Sequence, residues 1–440
     1  MRIALAGAGA FGEKHLDGLK LIDGVEITSI ISRRLEQAEE VAKKYGAKHF
    51  STDLADALAR LRSVLQTHVD QGLLPGAVAL VHHRGQTVLH EAVGHQRPPS
   101  AEAAAPAMAP DTVFRIYSMT KPIASLVAMM LMEEGRLLLS HPVAHYLPAF
   151  AGQRVYDEAT GTTAPVQREA TVHDLLRHTA GLSYAWEAGT VPDAYRAARI
   201  GSRRHSNADL VAALGPLPLV HQPGTRWEYS RATDVLGAVL EVIEGESLGA
   251  ILQRRVFGPL GMHDTGFAVP AAQQHRLAEA FERDPQTGIG MPLIDVTAPP
   301  VFESAGGGLV STASDYARFL QLMLGRGTAP GPDGLGNPVR LLGRATVDFM
   351  TADHLGGIPA DGTLLPPGHG FGLGFAVRTH LGLSPVPGSV GLYYWGGIAG
   401  TTFFVDPAEN FFGILMTQAP NQRDHYRLLF RTLAYAALVD

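Results

Sequence analysis

Residues 122–132, Pro-Ile-Ala-Ser-Leu-Val-Ala-Met-Met-Leu-Met, form the longest apolar stretch of this 440-residue chain and carry no charge. As a helix the stretch is about half as long as a bilayer is thick, so it reads as an interior helix and not as a membrane span. A helix apolar on every side must be enclosed on every side. A fold containing it therefore needs layers around it, and 46% hydrophobic residues are enough to supply them. Just ahead of the run, in Phe114-Arg-Ile-Tyr-Ser-Met-Thr-Lys-Pro122, stand Ser118 and Lys121. Their three-residue spacing is close to one helical turn, which puts hydroxyl and amine on one face at the mouth of the helix.

A serine hydroxyl becomes a nucleophile when a base takes its proton, and burial lowers a lysine pKa from about 10 toward the range where the amine can do so. Lys121 is the only lysine after Lys48. Spacing alone does not single out the pair. Ser-x-x-Lys is expected by chance about 0.25 times in this composition, and Gly245-Glu-Ser-Leu-Gly249, a match to the Gly-x-Ser-x-Gly pentapeptide, about 0.22 times. Context separates them. The pentapeptide needs a strand before its serine, whereas residues 235–243 have helical period, so Gly245 reads as a helix C-cap and Ser247 as the next N-cap. The other reading of Ser118 is an ordinary cap, with Lys121 a surface charge.

The chain begins differently. Residues 2–6 read as a strand, Gly7-Ala-Gly-Ala-Phe-Gly12 opens a helix to about Leu21, and Val25 to Ser32 and Leu35 to Tyr45 read as a second strand and helix. In that context glycines let a pyrophosphate approach a helix N-terminus, and Ser32-Arg-Arg34 suits a 2′-phosphate better than a ribose diol. The stretch resembles the start of the glucose-fructose oxidoreductase type of dehydrogenase over residues 1–59. No third strand or substrate domain is visible after it. Instead Leu54, Leu58, Leu61, Leu65 and Val69 form one helical stripe, and five of the six lysines lie in the first 48 residues. A truncated Rossmann-like βαβα fragment, residues 1–54, holding no cofactor is the expectation; an NADP-binding oxidoreductase or sensor is the alternative.

Beyond Pro75, Ala77–His83 and Thr87–Val93 read as a hairpin turning at Arg84-Gly-Gln86. Residues 145–300 read as a mainly helical, loop-rich lobe. Helices are expected at Asp174–Arg177, Asn207–Ala213, Thr233–Ile243, Leu248–Val256 and Ala313–Leu324. Strands are expected at Phe371–Val377, Val390–Tyr394, Thr401–Val405 and Phe411–Met416, and a closing helix over His425–Ala437. The absence of cysteine excludes disulfides and thiolate chemistry. His173, His178 and His369 show no metal-ligand spacing, so neither metal nor cofactor is expected. A net charge of −6 gives no sign of nucleic-acid or membrane partners, and composition leaves the oligomeric state open. The short apolar stretch Ile3–Ala6 is unlike a signal peptide, so a cytoplasmic location is expected.

Pro223-Gly-Thr-Arg-Trp-Glu-Tyr-Ser230 places Tyr229 in a loop before a helix, where a phenol can share the serine's proton. Tyr394-Trp-Gly-Gly-Ile398, ahead of a strand, offers backbone for a second oxyanion donor. With Leu175-Leu-Arg-His-Thr-Ala-Gly-Leu182, Pro259-Leu-Gly-Met262 and Gly306-Gly-Gly-Leu-Val-Ser-Thr312, the series resembles the serine β-lactamase and penicillin-binding-protein superfamily, and within it class C β-lactamases and family VIII carboxylesterases. The resemblance spans residues 55–438. It implies, over residues 55–440, an α/β (α+β) fold with an antiparallel sheet flanked by helices and the helical lobe beside it. It also implies Ser118 as nucleophile, Lys121 and Tyr229 as base and acid, the N–H groups of Ser118 and Ile398 as oxyanion hole, and a small ester as substrate. Two departures bear on specificity. Trp395-Gly396-Gly397 stands where β-lactamases carry Lys-Thr-Gly or His-Thr-Gly, and Arg231 where they usually carry Asn. An aromatic wall in place of a cation and hydroxyl favours apolar acyl or alcohol groups. Trp395 could equally be plain core. Tyr184 and Trp186 read equally as lining the same pocket or as core or loop packing, and Asp234 reads as a surface or first-turn helix charge. A β-lactamase or D-alanyl-peptidase is the near rival.

Overall fold

The computed structural model describes residues 2–6, 16–17, 19, 26–31, 35–47, 49–51, 54–99, 105–332, 337–360 and 364–438. At the N-terminus, β1 (Arg2–Ala6), β2 (Glu26–Ile31) and β3 (His49–Ser51) pair in parallel in that order, with α1 (Leu35–Tyr45) joining the last two. β3 adds a third strand within the fragment expected as βαβα: three residues give no alternation to read in a sequence. Leu16, Ile27, Val41, Ala42 and Tyr45 form a small core of their own. The glycine loop 7–12, most of the helix expected after it and Ser32–Arg34 lie outside the described residues.

The stripe on α2 (Leu54–Asp70) faces a different core. A seven-stranded antiparallel sheet contains β4 (Gly76–His83) and β5 (Gln86–Gly94), joined through Arg84 and Gly85, both with positive φ as a two-residue hairpin turn requires. Chain order continues with α3 (Thr120–Glu133), then α4 (Asn207–Leu214) and α5 (Ala232–Glu244) in the helical lobe, and α6 (Ala313–Leu324). The remaining strands are β6 (His369–Phe371), β7 (Ala376–Arg378), β8 (Tyr393–Gly396), β9 (Thr402–Asp406) and β10 (Phe411–Thr417), before α7 (Arg423–Tyr435). The sheet order is β6-β7-β8-β9-β10-β4-β5, so the last strand of the chain pairs with the first of the sheet.

All eight residues of β4 are buried, because the sheet is covered on both faces. Val78 and Leu80 point to the core containing α3 and α6, while Ala77, Ala79 and Val81 point to Leu58, Leu61 and Leu65 of α2 and to Tyr426, Phe430 and Ala434 of α7. The period-2 alternation thus serves two cores at once. Eleven of the fourteen residues of α3 are buried, as the apolar run requires. Each large aliphatic side chain there contributes roughly 1.5–3 kcal/mol of burial.

Two expected elements differ in detail. Phe371–Val377 is not one strand: Gly372 to Phe375 turns the chain, pairing Phe371 with Ala376. The helix expected over Leu248–Val256 is α-helical only to Leu252 and continues as a wider turn over Gln253–Phe257. The lobe also holds a hairpin, Arg154–Asp157 with Thr162–Pro165. No described helix is long and apolar enough to cross a membrane.

Candidate active site

Ser118 lies in a tight turn, Tyr117–Met119, that runs directly into α3, with Lys121 and Pro122 in the first turn. Pro122 fits there because an N–H so near a helix start has no partner to lose. Tyr117 has φ 42°, a left-handed conformation that is strained for a residue with a side chain. The surroundings hold it: the Tyr117 hydroxyl accepts a 2.9 Å bond from the N–H of Ile294, and Ile116 N–H donates to the Leu309 carbonyl. Ser118 itself is half-buried.

Lys121 is completely buried. Its ammonium donates to Gly306 O at 2.6 Å, Tyr184 Oη at 3.1 Å and Ser118 Oγ at 3.3 Å, and lies 4.6 Å from the centre of the Tyr229 ring. Three acceptors match the three donors of an ammonium group. Burial works against the charge, but the hydroxyls of Tyr184 and Tyr229 and the Asp234 carboxylate outweigh it and hold the amine above the usual lysine range. This corrects the expectation that burial leaves the amine closer to neutral: spacing on a helix reveals burial but not the polar groups converging from elsewhere. Tyr184, buried beside it, is pushed up to about 12, mainly by desolvation.

Asp234 is also a correction. It sits in the first turn of α5, as expected, but is fully buried and not at the surface. Its carboxylate accepts from Gly306 N at 2.9 Å, Ser304 Oγ at 2.6 Å and Arg231 Nη1 at 3.0 Å. A Cβ on Gly306 would lie 2.9 Å from both carboxylate oxygens, so only glycine lets this backbone come so close. Asp234 therefore holds the N–H of the same residue whose carbonyl holds Lys121. Arg231 stacks on the Tyr184 ring at 5.0 Å.

Tyr229 precedes α5, and Tyr394–Ile398 comes before β9 as expected, while Trp395 and Gly396 lie on β8, which begins and ends later than the strand expected over Val390–Tyr394. The indole Nε1 donates to Tyr229 Oη at 3.2 Å. Around Tyr229 stand His178, Trp227, Tyr184 and Trp395, with ring centres 4.8–6.2 Å away. His178 is buried, and burial and the Lys121 charge keep it neutral. Trp186 is 59% exposed and stacks on Tyr184 at 3.7 Å, forming an aromatic rim. Gly397 N–H donates to Thr401 O at 2.8 Å, while among the described residues no backbone acceptor is engaged by Ile398 N–H at the apex of this turn. A Cβ on Gly397 would fall 2.4 Å from Ile116 O, which places this turn directly against the backbone leading to Ser118.

The structure thus gathers Ser118, Lys121, Tyr184, Tyr229, Trp395, Gly396, Gly397 and Ile398 from α3, the loop before α5, β8 and the segment around Tyr184, with Trp186 at the edge. Ser247 is elsewhere: it is exposed and caps a helix, its hydroxyl accepting from Ala250 N. Missed in the sequence were Gly306 O as a lysine acceptor, the buried part of Asp234, and the hydroxyl of Tyr184 as a member of the proton network. The Gly306-Gly-Gly308 run was a visible signal of close backbone approach.

Comparison with known proteins follows the same division. The Beta-lactamase family model matches residues 61–436, and a model described as an oxidoreductase family with an NAD-binding Rossmann fold matches residues 1–72. Both claim residues 61–72, of which 61–70 lie on α2. Protein Rv1367c of Mycobacterium tuberculosis is 38% identical over 366 residues, 79% of this chain and 87% of that protein. Esterase EstB of Burkholderia gladioli is 33% identical over 391 residues, 84% of this chain and 92% of the esterase. Among solved structures, EstCE1, described as a hydrolase with promiscuous acyltransferase activity, superposes with a TM-score of 0.73 at 27% identity, covering 87% of this chain and 99% of that one.

Proposed function

The chain belongs to the Beta-lactamase family and is a serine hydrolase, and on that premise we propose that it is a carboxylesterase for short-chain acyl esters, working through Ser118. The observation that carries this reading is the ammonium of Lys121, 3.3 Å from Ser118 Oγ and sealed among Tyr184, Tyr229 and Gly306 O. The division into a Rossmann-like fragment, residues 1–54, and a hydrolase unit, residues 55–440, belongs to the same proposal; the separate small core of the first 47 residues supports it.

In the proposed reaction Ser118 Oγ attacks the ester carbonyl and its proton passes to the Lys121–Tyr229 pair. A lysine held charged is a poor acceptor on its own, so in the proposed step Tyr229 Oη has the part of acceptor, the pair entering the step with one proton fewer than an ammonium and a phenol together hold. The tetrahedral oxyanion rests on the N–H groups of Ser118 and Ile398. The bond to the alcohol oxygen then breaks, that oxygen takes the proton, and the alcohol leaves. Water attacks the acyl-serine with the same pair as base, the acid departs and Ser118 regains its proton.

Ester selectivity over β-lactam selectivity rests on Trp395. Its side chain is 7% exposed and hydrogen-bonded to Tyr229, so an apolar wall stands at that position and no cation to grip a carboxylate. The test is a panel of p-nitrophenyl esters of increasing acyl length and a set of β-lactams including nitrocefin, run on the wild type and Ser118→Ala together. Turnover of acetate and butyrate esters that disappears in Ser118→Ala is expected. Preferred turnover of nitrocefin would replace the esterase with a β-lactamase, and ester turnover surviving in Ser118→Ala would remove Ser118 from the chemistry.

A further inference from the structure

Resting on that reading, we propose that Arg427 is a positioning residue for the oxyanion hole, holding the Gly397–Ile398 peptide from behind so that Ile398 N–H faces the reacting carbonyl. Arg427 lies on the second turn of α7, in a part of the chain that contributes nothing else to the site. Its Nη2 donates to Gly397 O at 2.5 Å, and its Nη1 is 3.4 Å from Asp424 Oδ1. Gly397 O and Ile398 N belong to one peptide group. In a trans peptide the carbonyl and the N–H point opposite ways, so a bond that fixes the carbonyl fixes the direction of the N–H. The same carbonyl accepts from Gly400 N at 3.1 Å, and the two donors leave the plane little freedom.

The bond also acts electronically. A charged donor on the carbonyl polarises the amide and strengthens the hydrogen bond its N–H can give, as in any hydrogen-bonded chain. Burial lowers the Arg427 pKa to about 10, which leaves the guanidinium charged at neutral pH. A positive charge behind the peptide favours the anionic tetrahedral state over the neutral ester, the differential that speeds a reaction.

The neighbouring sequence is built around this contact. A Cβ on Gly396 would lie 2.8 Å from Arg427 Nε, from Nη2 and from Thr401 O, so glycine between Trp395 and Gly397 leaves room both for the backbone of the return turn and for the guanidinium against the strand. Nε is buried there with no hydrogen-bond partner among the described residues, a cost accepted only where the surroundings force the group into place. Asp424 is exposed and its contact long, so it does not dictate the arginine's position.

The test compares wild type, Arg427→Met and Arg427→Lys in purified full-length protein. Ester hydrolysis by Arg427→Met is expected to lose about ten- to a hundredfold in kcat with KM within about twofold, because only the transition state carries the oxyanion. Affinity for a trifluoromethyl ketone, which forms the tetrahedral adduct on Ser118, should weaken by the same factor. The carbonyl stretch of the acyl-enzyme should move to higher frequency, a signature that a merely structural role would leave unchanged. Lys, keeping charge and reach, should recover part of the loss and is the deciding variant if Met does not fold. An unshifted carbonyl stretch and unchanged kcat in a folded variant overturn the proposal. Labelling of wild type by a fluorophosphonate keeps the two readings apart: no adduct on Ser118 would sink the esterase itself, whereas an adduct with no Arg427 effect sinks only the positioning role.

Discussion

Ser118 and Ser247 sit in motifs that are about equally improbable by count, and each has a left-handed residue one or two places before it. At Ser247 that residue is Gly245, φ 72°, a relaxed helix C-cap, and the serine hydroxyl is used up on Ala250 N at an exposed helix start. At Ser118 it is Tyr117, φ 42°, which pays in strain what glycine would avoid, and the hydroxyl receives a bond from a buried ammonium. The difference teaches that reactivity comes from what the fold forces on a serine. One is capped, solvated and has no base within its contacts; the other is strained, half-buried and wired to a charge.

The largest test of this contrast is Ser118→Ala, expected to lower ester turnover by about four orders of magnitude or more while the thermal midpoint stays near wild type. Residual turnover within tenfold of wild type would end the comparison at once. Next, Tyr229→Phe keeps the ring in its aromatic cage but removes the proton acceptor, and should cost about a thousandfold in kcat. If Tyr229→Phe retained most of its activity, Lys121 would have to accept the proton despite the groups that hold it charged. Tyr184→Phe removes only one of three acceptors of the ammonium, so the expected loss is about tenfold, read as kcat against pH on a butyrate ester. A loss as large as that of Tyr229→Phe would exchange the roles of the two tyrosines.

Much of this was legible from residues alone. The helix α6 was read to the residue because Thr312, whose hydroxyl accepts from Asp315 N, marks its start and an apolar stripe marks its length. β4, β9 and β10 were legible as apolar runs because both sheet faces are buried. The parts not legible share one cause: they depend on partners far along the chain. Lys121 finds Gly306 at a separation of 185 residues, so spacing gave its burial and missed the direction of its charge shift. Asp234 looks like any first-turn acid until Ser304 and Gly306 close over it. Arg427 had a faint signal, since Arg427 and Arg431 stand one residue beyond the inward Tyr426 and Phe430 and so border the core face of α7. Nothing local said that one of them reaches Gly397.

The smallest expected effect is the sharpest on the other side of the contrast. Ser247→Ala should leave ester turnover within experimental error of wild type, because the hydroxyl touches nothing in the proton network. It should still cost stability, since the Ala250 N–H loses its acceptor at the helix start. An N-cap serine contributes typically about 1 kcal/mol, and this exposed bond, 3.4 Å long, belongs at the lower end of that range. The measurement is the midpoint of urea unfolding at unchanged slope, which separates lost stability from a change in the unfolded state. A variant that kept its midpoint but lost activity would mean that Ser247 does chemistry from a helix cap, and backbone context would no longer distinguish the two serines.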